Sequence, residues 1–115
     1  MSDVVIWHNP RCSKSREAMA LLKDRGIEPA VVQYLTEPPS EKEIRIAIER
    51  LGGRAISLVR TKEKLFKELG LSKDSADEDL IAAMVAHPVL IERPVIFKGQ
   101  KARIARQTEA ILEIL

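Results

Sequence analysis

The residues best suited to chemistry surround the one cysteine of the chain, Cys12. Its neighbours are polar or cationic apart from one proline: His8, Asn9, Pro10, Arg11, Ser13, Lys14, Ser15 and Arg16. Nearby positive charge lowers the pKa of a thiol, and only the thiolate is a nucleophile. A lone intracellular cysteine is commonly a small buried hydrophobe, but polar neighbours on both sides disfavour that interpretation. The stretch therefore indicates a nucleophilic cysteine.

Cys12 has no second cysteine with which to form a disulfide bond. A Cys-x-x-Cys motif would place its partner at position 15, which is Ser15. The composition excludes a disulfide-stapled secreted domain. One cysteine and two scattered histidines are also too few for an ordinary zinc site, so no metal is expected. The thiol that releases an oxidised Cys12 must come from another molecule, and glutathione is the abundant cytosolic candidate.

The elements around Cys12 place it at the start of a helix. The apolar run 4–7 predicts a buried strand, and from Ser13 apolar residues recur at helical spacing up to Gly26. Unpaired N–H groups and the helix dipole stabilise a thiolate or an oxyanion at such a position. At a pKa of about 8.5 roughly 3% of a thiol is ionised at pH 7, whereas a pKa of about 6.5 would ionise about three quarters.

The remaining elements predict an α/β protein with a four-stranded mixed sheet. Residues 30–35 form a second predicted strand, parallel to the first in a β-α-β unit. A β-β-α unit follows later, in which Gly99-Gln100 connects two hairpin strands and Thr108 begins a last helix. We expect Leu112 of that helix to pack on the sheet.

An all-helical insert is predicted between the two halves of the sheet. Ser40 and Ser75 each begin a capping box with a glutamate three residues later, and residues 61–69 predict a further helix. We therefore expect a single domain over residues 1–115, with the helical insert at approximately 40–87.

Composition narrows the function classes. The 115 residues carry a formal net charge of +2 and include one Trp, one Tyr and two Phe, which gives little support for a nucleic-acid-binding protein. The longest apolar run, residues 80–86, is far shorter than the ~20 residues of a membrane span. The N-terminus lacks a signal-peptide pattern. We expect a cytoplasmic protein with neither nucleic-acid nor membrane partners.

Arginines are candidate ligands for an oxyanion, because the guanidinium is a planar fork that binds one in a bidentate way. Three stand beside apolar or small residues: Arg60, Arg93 and Arg106. We expect three others to be solvated surface charges: Arg50, Arg54 and Arg103. Spacing alone does not identify which arginines are functional.

Four motifs over nearly the whole chain resemble the glutaredoxin- and glutathione-coupled arsenate reductases, a family with a thioredoxin-like fold. The motifs are His8-Asn9-Pro10-x-Cys12-Ser13-x-Ser15-Arg16, Leu58-Val59-Arg60, His87-Pro88-x-Leu90-Ile91-x-Arg93-Pro94 and Arg106-x-x-Glu109-x-x-Leu112-x-Ile114-Leu115. The single-cysteine turn is not specific by itself, but the four motifs together are.

The resemblance implies a role for each matching residue. Cys12 would attack arsenate to form a thiolate–arsenate adduct, His8 would help to keep Cys12 ionised, and three arginines would bind the oxyanion: Arg60, Arg93 and Arg106. Glutathione, a co-substrate rather than a bound cofactor, would attack the adduct and release arsenite. Glutaredoxin would then reduce the mixed disulfide. The other implied substrate-binding residues are Asn9, Ser13, Ser15 and Pro94, the last as a cis-proline beside the thiol.

Two departures from the family pattern bear on the substrate. Gln107-Thr108 replaces the residues that often follow the last arginine, and Arg11 is bulkier than its usual counterpart. The chemistry of the site is therefore a safer inference than arsenate itself. The alternatives are an Spx-like regulatory binding protein and a glutathione-dependent reductase of another substrate. If the partner of Arg93 is the anion, the substitution Arg93→Ala should change the thiol pKa little.

Overall fold

The computed structural model describes residues 3–105 and 108–115, and leaves the side chains of 108–110 undescribed. The strands and α-helices, in chain order, are β1 (Val4–Trp7), α1 (Ser13–Asp24), β2 (Ala30–Val32), α2 (Glu41–Arg50), α3 (Lys64–Glu68), α4 (Asp77–Ala86), β3 (Val95–Lys98) and β4 (Lys101–Ile104). Three 3-10 helices cover Ala55–Leu58, Pro88–Leu90 and Thr108–Glu113. The chain forms two compact units: Met1–Glu37 with Arg93–Leu115, and Pro38–Glu92.

The first unit contains the whole sheet, whose strand order is β2-β1-β3-β4. β1 and β2 are parallel, whereas β1–β3 and β3–β4 are antiparallel. The four-stranded mixed sheet and the parallel β-α-β unit are thus confirmed. β2 is shorter than predicted because the chain turns after it: the N–H groups of Thr36 and Glu37 donate to the carbonyl of Gln33 at 3.0 and 2.8 Å.

The core of this unit joins α1 to one face of the sheet. Ala18 and Leu22 of α1 pack with Ile6 of β1 and Ile96 of β3, and all four are fully buried. Burying a leucine side chain contributes about 1.5–3 kcal/mol, so this contact fixes α1 against the strand that precedes it. The N-terminus of α1 is thereby held at one edge of the sheet.

The expected packing of Leu112 is wrong. Ile111 is fully buried in the same core, whereas Leu112 is 40% exposed. The segment Thr108–Glu113 is a 3-10 helix, which turns by about 120° per residue. Adjacent residues therefore face different directions, and the apolar pattern placed the buried face one residue too late.

The second unit is helical. Its α2 begins with the predicted capping box: Glu43 N–H donates to Ser40 Oγ at 3.1 Å, and Ser40 N–H donates to Glu43 Oε1 at 2.9 Å. The second predicted capping box is absent, because Ala76 is the N-cap of α4 and Ser75 Oγ accepts from the N–H of Ser72 instead. α3 is also shorter than the predicted helix over 61–69.

The β3–β4 hairpin closes the first unit. Gly99 has a φ of +58° in the two-residue turn between the strands, the positive value expected of a Gly-X hairpin turn. The peptide bond between Arg93 and Pro94 is cis, as the resemblance implies. The carbonyl of Pro94 accepts from Ala105 N–H at 3.0 Å, so the chain entering β3 is tied to the chain leaving β4.

Candidate active site

The residues of the first unit that could do chemistry lie near one edge of the sheet, where β1 and β2 end and β3 begins. Val32, Trp7 and Val95 occupy one row across β2, β1 and β3. β1 and β2 end at this row and β3 begins there, so Arg93-Pro94 and the chain after Trp7 share the same edge. Ligands of open α/β sheets bind beyond the carboxyl ends of parallel strands, which is where this edge lies.

The turn between β1 and α1 is built around Asn9. Its carbonyl accepts from Cys12 N–H at 3.0 Å, and its Oδ1 accepts from Arg11 N–H at 3.0 Å. The Asn9 side chain is buried, so these two hydrogen bonds are shielded from water. The turn therefore presents Cys12 in a fixed extended conformation, with φ −93° and ψ 124°.

Cys12 occupies the N-cap position of α1 and has a lowered thiol pKa. Burial by itself raises this pKa, but the N–H group of Ser15, the guanidinium of Arg93 and the N–H group of Lys14 outweigh burial. The Cys12 side chain makes no capping hydrogen bond of ordinary geometry. The site therefore favours the nucleophilic form of the sulfur.

Arg93 is the side chain that acts most directly on Cys12. Burial lowers the pKa of Arg93, but a hydrogen bond to Cys12 and interactions with Tyr34 give a net rise. Removing Arg93 should therefore raise the thiol pKa, in contrast to the small change expected if the anion is the partner of Arg93. Its Nε is buried and makes no hydrogen bond within the described part of the chain.

His8 and Ser15 form a second polar contact behind the turn. His8 Nδ1 lies 2.5 Å from Ser15 Oγ, and the same oxygen accepts from Asn9 N–H at 3.0 Å. Burial and the charge of Arg16 lower the pKa of His8, so the ring is mostly neutral at pH 7. The role of His8 in keeping Cys12 ionised stays a prediction.

The other cationic side chains of the turn point to solvent. Lys14 pairs with Glu17 at 3.4 Å, and Arg16 donates to the carbonyl of Pro10 at 3.0 Å. Neither these side chains nor Arg11 contribute to the thiol pKa shift. The sequence correctly predicts a lowered pKa, but the responsible groups are backbone N–H groups and Arg93.

The remaining predicted site residues have different environments. Ser13 is exposed at the first turn of α1, and Pro94 is buried. Arg60 belongs to the second unit, where it is half-buried and its Nε lies 3.3 Å from Glu63 Oε2, without hydrogen-bond geometry. Its backbone N–H donates to Leu90 at 2.7 Å. Arg106 lies outside the described residues.

Tyr34 is a residue of this edge that the sequence did not single out. It follows β2, is fully buried and interacts with Arg93. Its apolar neighbours made it a strand residue in the sequence interpretation. The available signal was that Tyr34 is the one tyrosine of the chain and comes directly after a strand parallel to β1.

Residues 3–105 and 108–115 contain no cluster of three or more His, Cys, Asp or Glu side chains placed to hold a metal ion. Every helix in the same ranges is too short or too polar to cross a lipid bilayer.

Known proteins resemble this chain over almost its full length. The sequence profile of the ArsC family matches residues 7–114. The chain is 50% identical to the uncharacterized protein YfgD of Escherichia coli K12, over 97% of this chain and 96% of that protein. It is 44% identical to an arsenate reductase of Neisseria meningitidis serogroup A, over 100% of both chains.

A solved structure shows the same architecture. An arsenate reductase from Vibrio cholerae superposes with a TM-score of 0.92 at 47% identity, and the match covers 97% of each chain. The predicted fold class, an α/β thioredoxin-like fold with a four-stranded mixed sheet and helices, is confirmed.

Proposed function

The chain belongs to the ArsC family, and on that premise we propose that it reduces arsenate to arsenite with Cys12 as the nucleophile. One observation carries the proposal: the Cys12 thiol has a lowered pKa at the N-terminus of α1, against the guanidinium of Arg93. Relatives named arsenate reductase match the full chain at 44% identity, which supports arsenate as the oxyanion.

The first step forms a bond between sulfur and arsenic. The Cys12 thiolate attacks As(V), one oxygen of arsenate leaves as water after taking up two protons, and a thiolate–arsenate adduct remains. No electron pair has moved to arsenic at this stage. The donors that hold the thiolate, which are Arg93 and the N–H groups of Lys14 and Ser15, are also suited to the oxyanion.

The second step carries the reduction. The thiolate of glutathione attacks the Cys12 sulfur, the S–As bond breaks, and its electron pair stays on arsenic, which leaves as As(III) in arsenite. Cys12 and glutathione are then joined in a mixed disulfide. Because the chain has no other cysteine, a further thiol must release Cys12, and glutaredoxin is the proposed reductant. These reductants place the reaction in the cytoplasm.

The buried Nε of Arg93 supports its proposed role toward the oxyanion. A buried donor without a partner in the protein is costly, and an arsenate oxygen at Cys12 would satisfy it. Asn9, Ser13 and Ser15 would support the same anion from the turn, with Pro94 beside it. The resemblance also assigns oxyanion binding to Arg60 and Arg106, and that assignment stays a prediction.

The deciding experiment measures arsenite formed from arsenate in the presence of glutathione and glutaredoxin. Wild type should form arsenite, whereas Cys12→Ser should not and Arg93→Ala should be strongly impaired. Arg25→Ala is the matched control, because it removes an exposed arginine at the opposite end of α1. Equal rates for wild type and Cys12→Ser would refute the proposal. Glutathionylation of Cys12 without arsenite formation would instead indicate another oxyanion substrate.

A further inference from the structure

We propose that the exposed guanidinium groups of Arg11 and Arg16 bind the carboxylate groups of glutathione when its thiolate attacks the sulfur of Cys12. The two arginines thereby select a thiol that carries carboxylates over other small thiols. The part that glutathione plays in arsenate reduction rests on the proposed function. The preference for an anionic thiol is a property of the site itself and can be measured without arsenate.

The turn between β1 and α1 presents a net positive charge to solvent. Lys14 pairs with Glu17 at 3.4 Å, so the charges of these two side chains largely cancel. Arg16 donates instead to a neutral acceptor, the carbonyl of Pro10, at 3.0 Å. Neither Arg11 nor Arg16 forms an ion pair with a carboxylate in the described part of the chain. Two positive charges therefore remain available to an anionic ligand.

These two charges do not serve to ionise the thiol. The groups that lower the pKa of Cys12 are backbone N–H groups and the guanidinium of Arg93, and neither Arg11 nor Arg16 is among them. Both side chains are exposed. Their charges thus lie beside the sulfur rather than against it, where they can act on a more distant part of a molecule whose own sulfur is at Cys12.

Hydrogen bonds hold both arginines close to Cys12. The N–H group of Arg11 donates to Asn9 Oδ1 at 3.0 Å, which fixes the backbone immediately before Cys12. The N–H group of Arg16 donates to the carbonyl of Cys12 at 3.0 Å, and helical side chains lean towards the N-terminus of their helix. The guanidinium of Arg16 accordingly reaches back to the carbonyl of Pro10. One cation is therefore attached just before Cys12, and the other returns to the same turn from α1.

Glutathione offers carboxylates at a matching distance from its sulfur. One carboxylate belongs to the residue that follows its cysteine, and the other lies at the end of its γ-glutamyl group. Consecutive Cα atoms are about 3.8 Å apart, so the nearer carboxylate is roughly 7 Å from the sulfur. That separation is too long for contact with Cys12 itself and suits an arginine on a neighbouring residue. Guanidinium and carboxylate groups form charge-assisted, bidentate pairs.

The test measures thiol attack on Cys12 in the absence of arsenate. Because the chain has one cysteine, dithiodipyridine converts it into a single, neutral thiopyridyl disulfide. A thiolate that attacks the Cys12 sulfur forms a mixed disulfide. The S–S bond breaks, its electron pair leaves with the thiopyridyl group, and that group takes up a proton as thiopyridone, whose absorbance gives the rate. Glutathione is compared with its glycine ethyl ester, which has the same thiol but lacks one carboxylate.

In wild type, glutathione should react about two- to fivefold faster than the ester, the effect of one exposed charge pair, once both rates are divided by those for the chain unfolded in urea. Arg11→Ala and Arg16→Ala should each reduce this preference, and the double variant should abolish it. Arg25→Ala removes an exposed arginine at the far end of α1 and should keep the wild-type ratio. Equal ratios in wild type and the double variant would overturn the proposal.

A second substitution at position 16 separates charge from the structure of the turn. Arg16→Ala also removes the hydrogen bond to Pro10, whereas Arg16→Lys keeps the positive charge. Arg16→Lys should therefore retain most of the preference for glutathione over the ester. A preference that is lost equally in both variants would mean that the side chain supports the turn and does not attract the carboxylate.

Two further measurements distinguish this inference from its neighbours. Protein that carries glutathione on Cys12 is treated with glutaredoxin; if the double variant slows only this step, the arginines bind the protein reductant and the proposal is wrong. Arsenite formation is measured in parallel. If wild type prefers glutathione over the ester but forms no arsenite, the proposed function fails while the role of the arginines holds. Normal arsenite formation with no preference for glutathione gives the opposite conclusion.

Discussion

The N-termini of α1 and α2 are built in opposite ways. At α2, Ser40 and Glu43 satisfy each other's backbone N–H groups, and the first turn carries two acidic residues. At α1, the N-cap is Cys12, whose side chain makes no capping hydrogen bond, and the first turn has no acidic residue. Both helices bury an apolar face, so the difference lies at their first turns.

The difference shows which helix start can bind an anion. The capping box satisfies two N–H groups of α2, and its two acidic residues offset the helix dipole. This stabilises α2 and makes its N-terminus less suited to binding an anion. α1 lacks this stabilisation, and its N–H groups act on the Cys12 thiolate. The absence of a capping side chain thus makes α1 less stable and leaves its N–H groups available to the Cys12 thiolate. Substitutions that give one helix the first-turn residues of the other test this relation.

The largest effect is expected from Cys12→Ser. Loss of the nucleophile should reduce arsenate turnover by more than about 1000-fold. Serine is a better N-cap than cysteine, so the free energy of unfolding should stay equal or rise by up to about 1 kcal/mol. Arsenite formation and urea denaturation measure the two effects. A variant that loses both activity and more than about 1 kcal/mol of stability would show that Cys12 also has a structural role.

At α2, Ser40→Ala should lower the free energy of unfolding by about 1 kcal/mol. The substitution removes the acceptor for Glu43 N–H and breaks the reciprocal pair. The thiol pKa and arsenate turnover should not change. Urea denaturation measures the change in stability. The control is Thr36→Ala, which removes an exposed hydroxyl that is not a helix cap. If the two variants are equally stable, the capping box does not stabilise α2, and the proposed difference between the two helix N-termini is wrong.

The sequence predicts these helix starts because their determinants are local. The Ser40 box and the position of Cys12 depend on residues within four positions of each other, and both were recognised. Ser75 shows where such reasoning fails: the pattern is present, but a competing hydrogen bond from Ser72 N–H takes its side chain. The prediction that Leu112 packs on the sheet is wrong for a related reason. A short 3-10 helix has too few residues for the apolar pattern to identify its buried face.

The contacts that activate the thiol lie beyond local patterns. Arg93 is 81 positions from Cys12, and Tyr34 is 22 positions away. Their meeting depends on the register of β2, β1 and β3, which no spacing in the sequence encodes. The resemblance implies that Arg93 is an oxyanion ligand, but its effect on the thiol pKa and the burial of Tyr34 at the same edge follow only from the three-dimensional fold.

Giving α1 the acidic first turn of α2 should have a moderate effect. Ser13→Glu places a carboxylate in the first turn, where its interaction with the helix N-terminus is worth about 0.3–1 kcal/mol. Part of the dipole that stabilises the thiolate is then offset, so the thiol pKa should rise by a few tenths of a unit. Ala20→Glu is the matched control, since it adds the same charge at an exposed site on α1 about 10 Å along the helix. Alkylation profiles compare the two. If both variants shift the pKa equally, the effect is that of net charge rather than of the helix start.

The smallest effect is a pH dependence of stability that only α1 should show. The pKa of Cys12 is lower in the folded chain than its ordinary value, so the unfolded chain binds more protons between these two pH values. The contribution to stability is therefore complete above the ordinary pKa of about 8.5 and is lost as the pH falls through the folded value. His8 also has a lowered pKa and acts in the same direction at lower pH, but it is present in wild type and in Cys12→Ser alike. The unfolding free energy of wild type minus that of Cys12→Ser should consequently rise with pH and level off above about 8.5. If this difference does not change with pH, the N-terminus of α1 does not stabilise the thiolate.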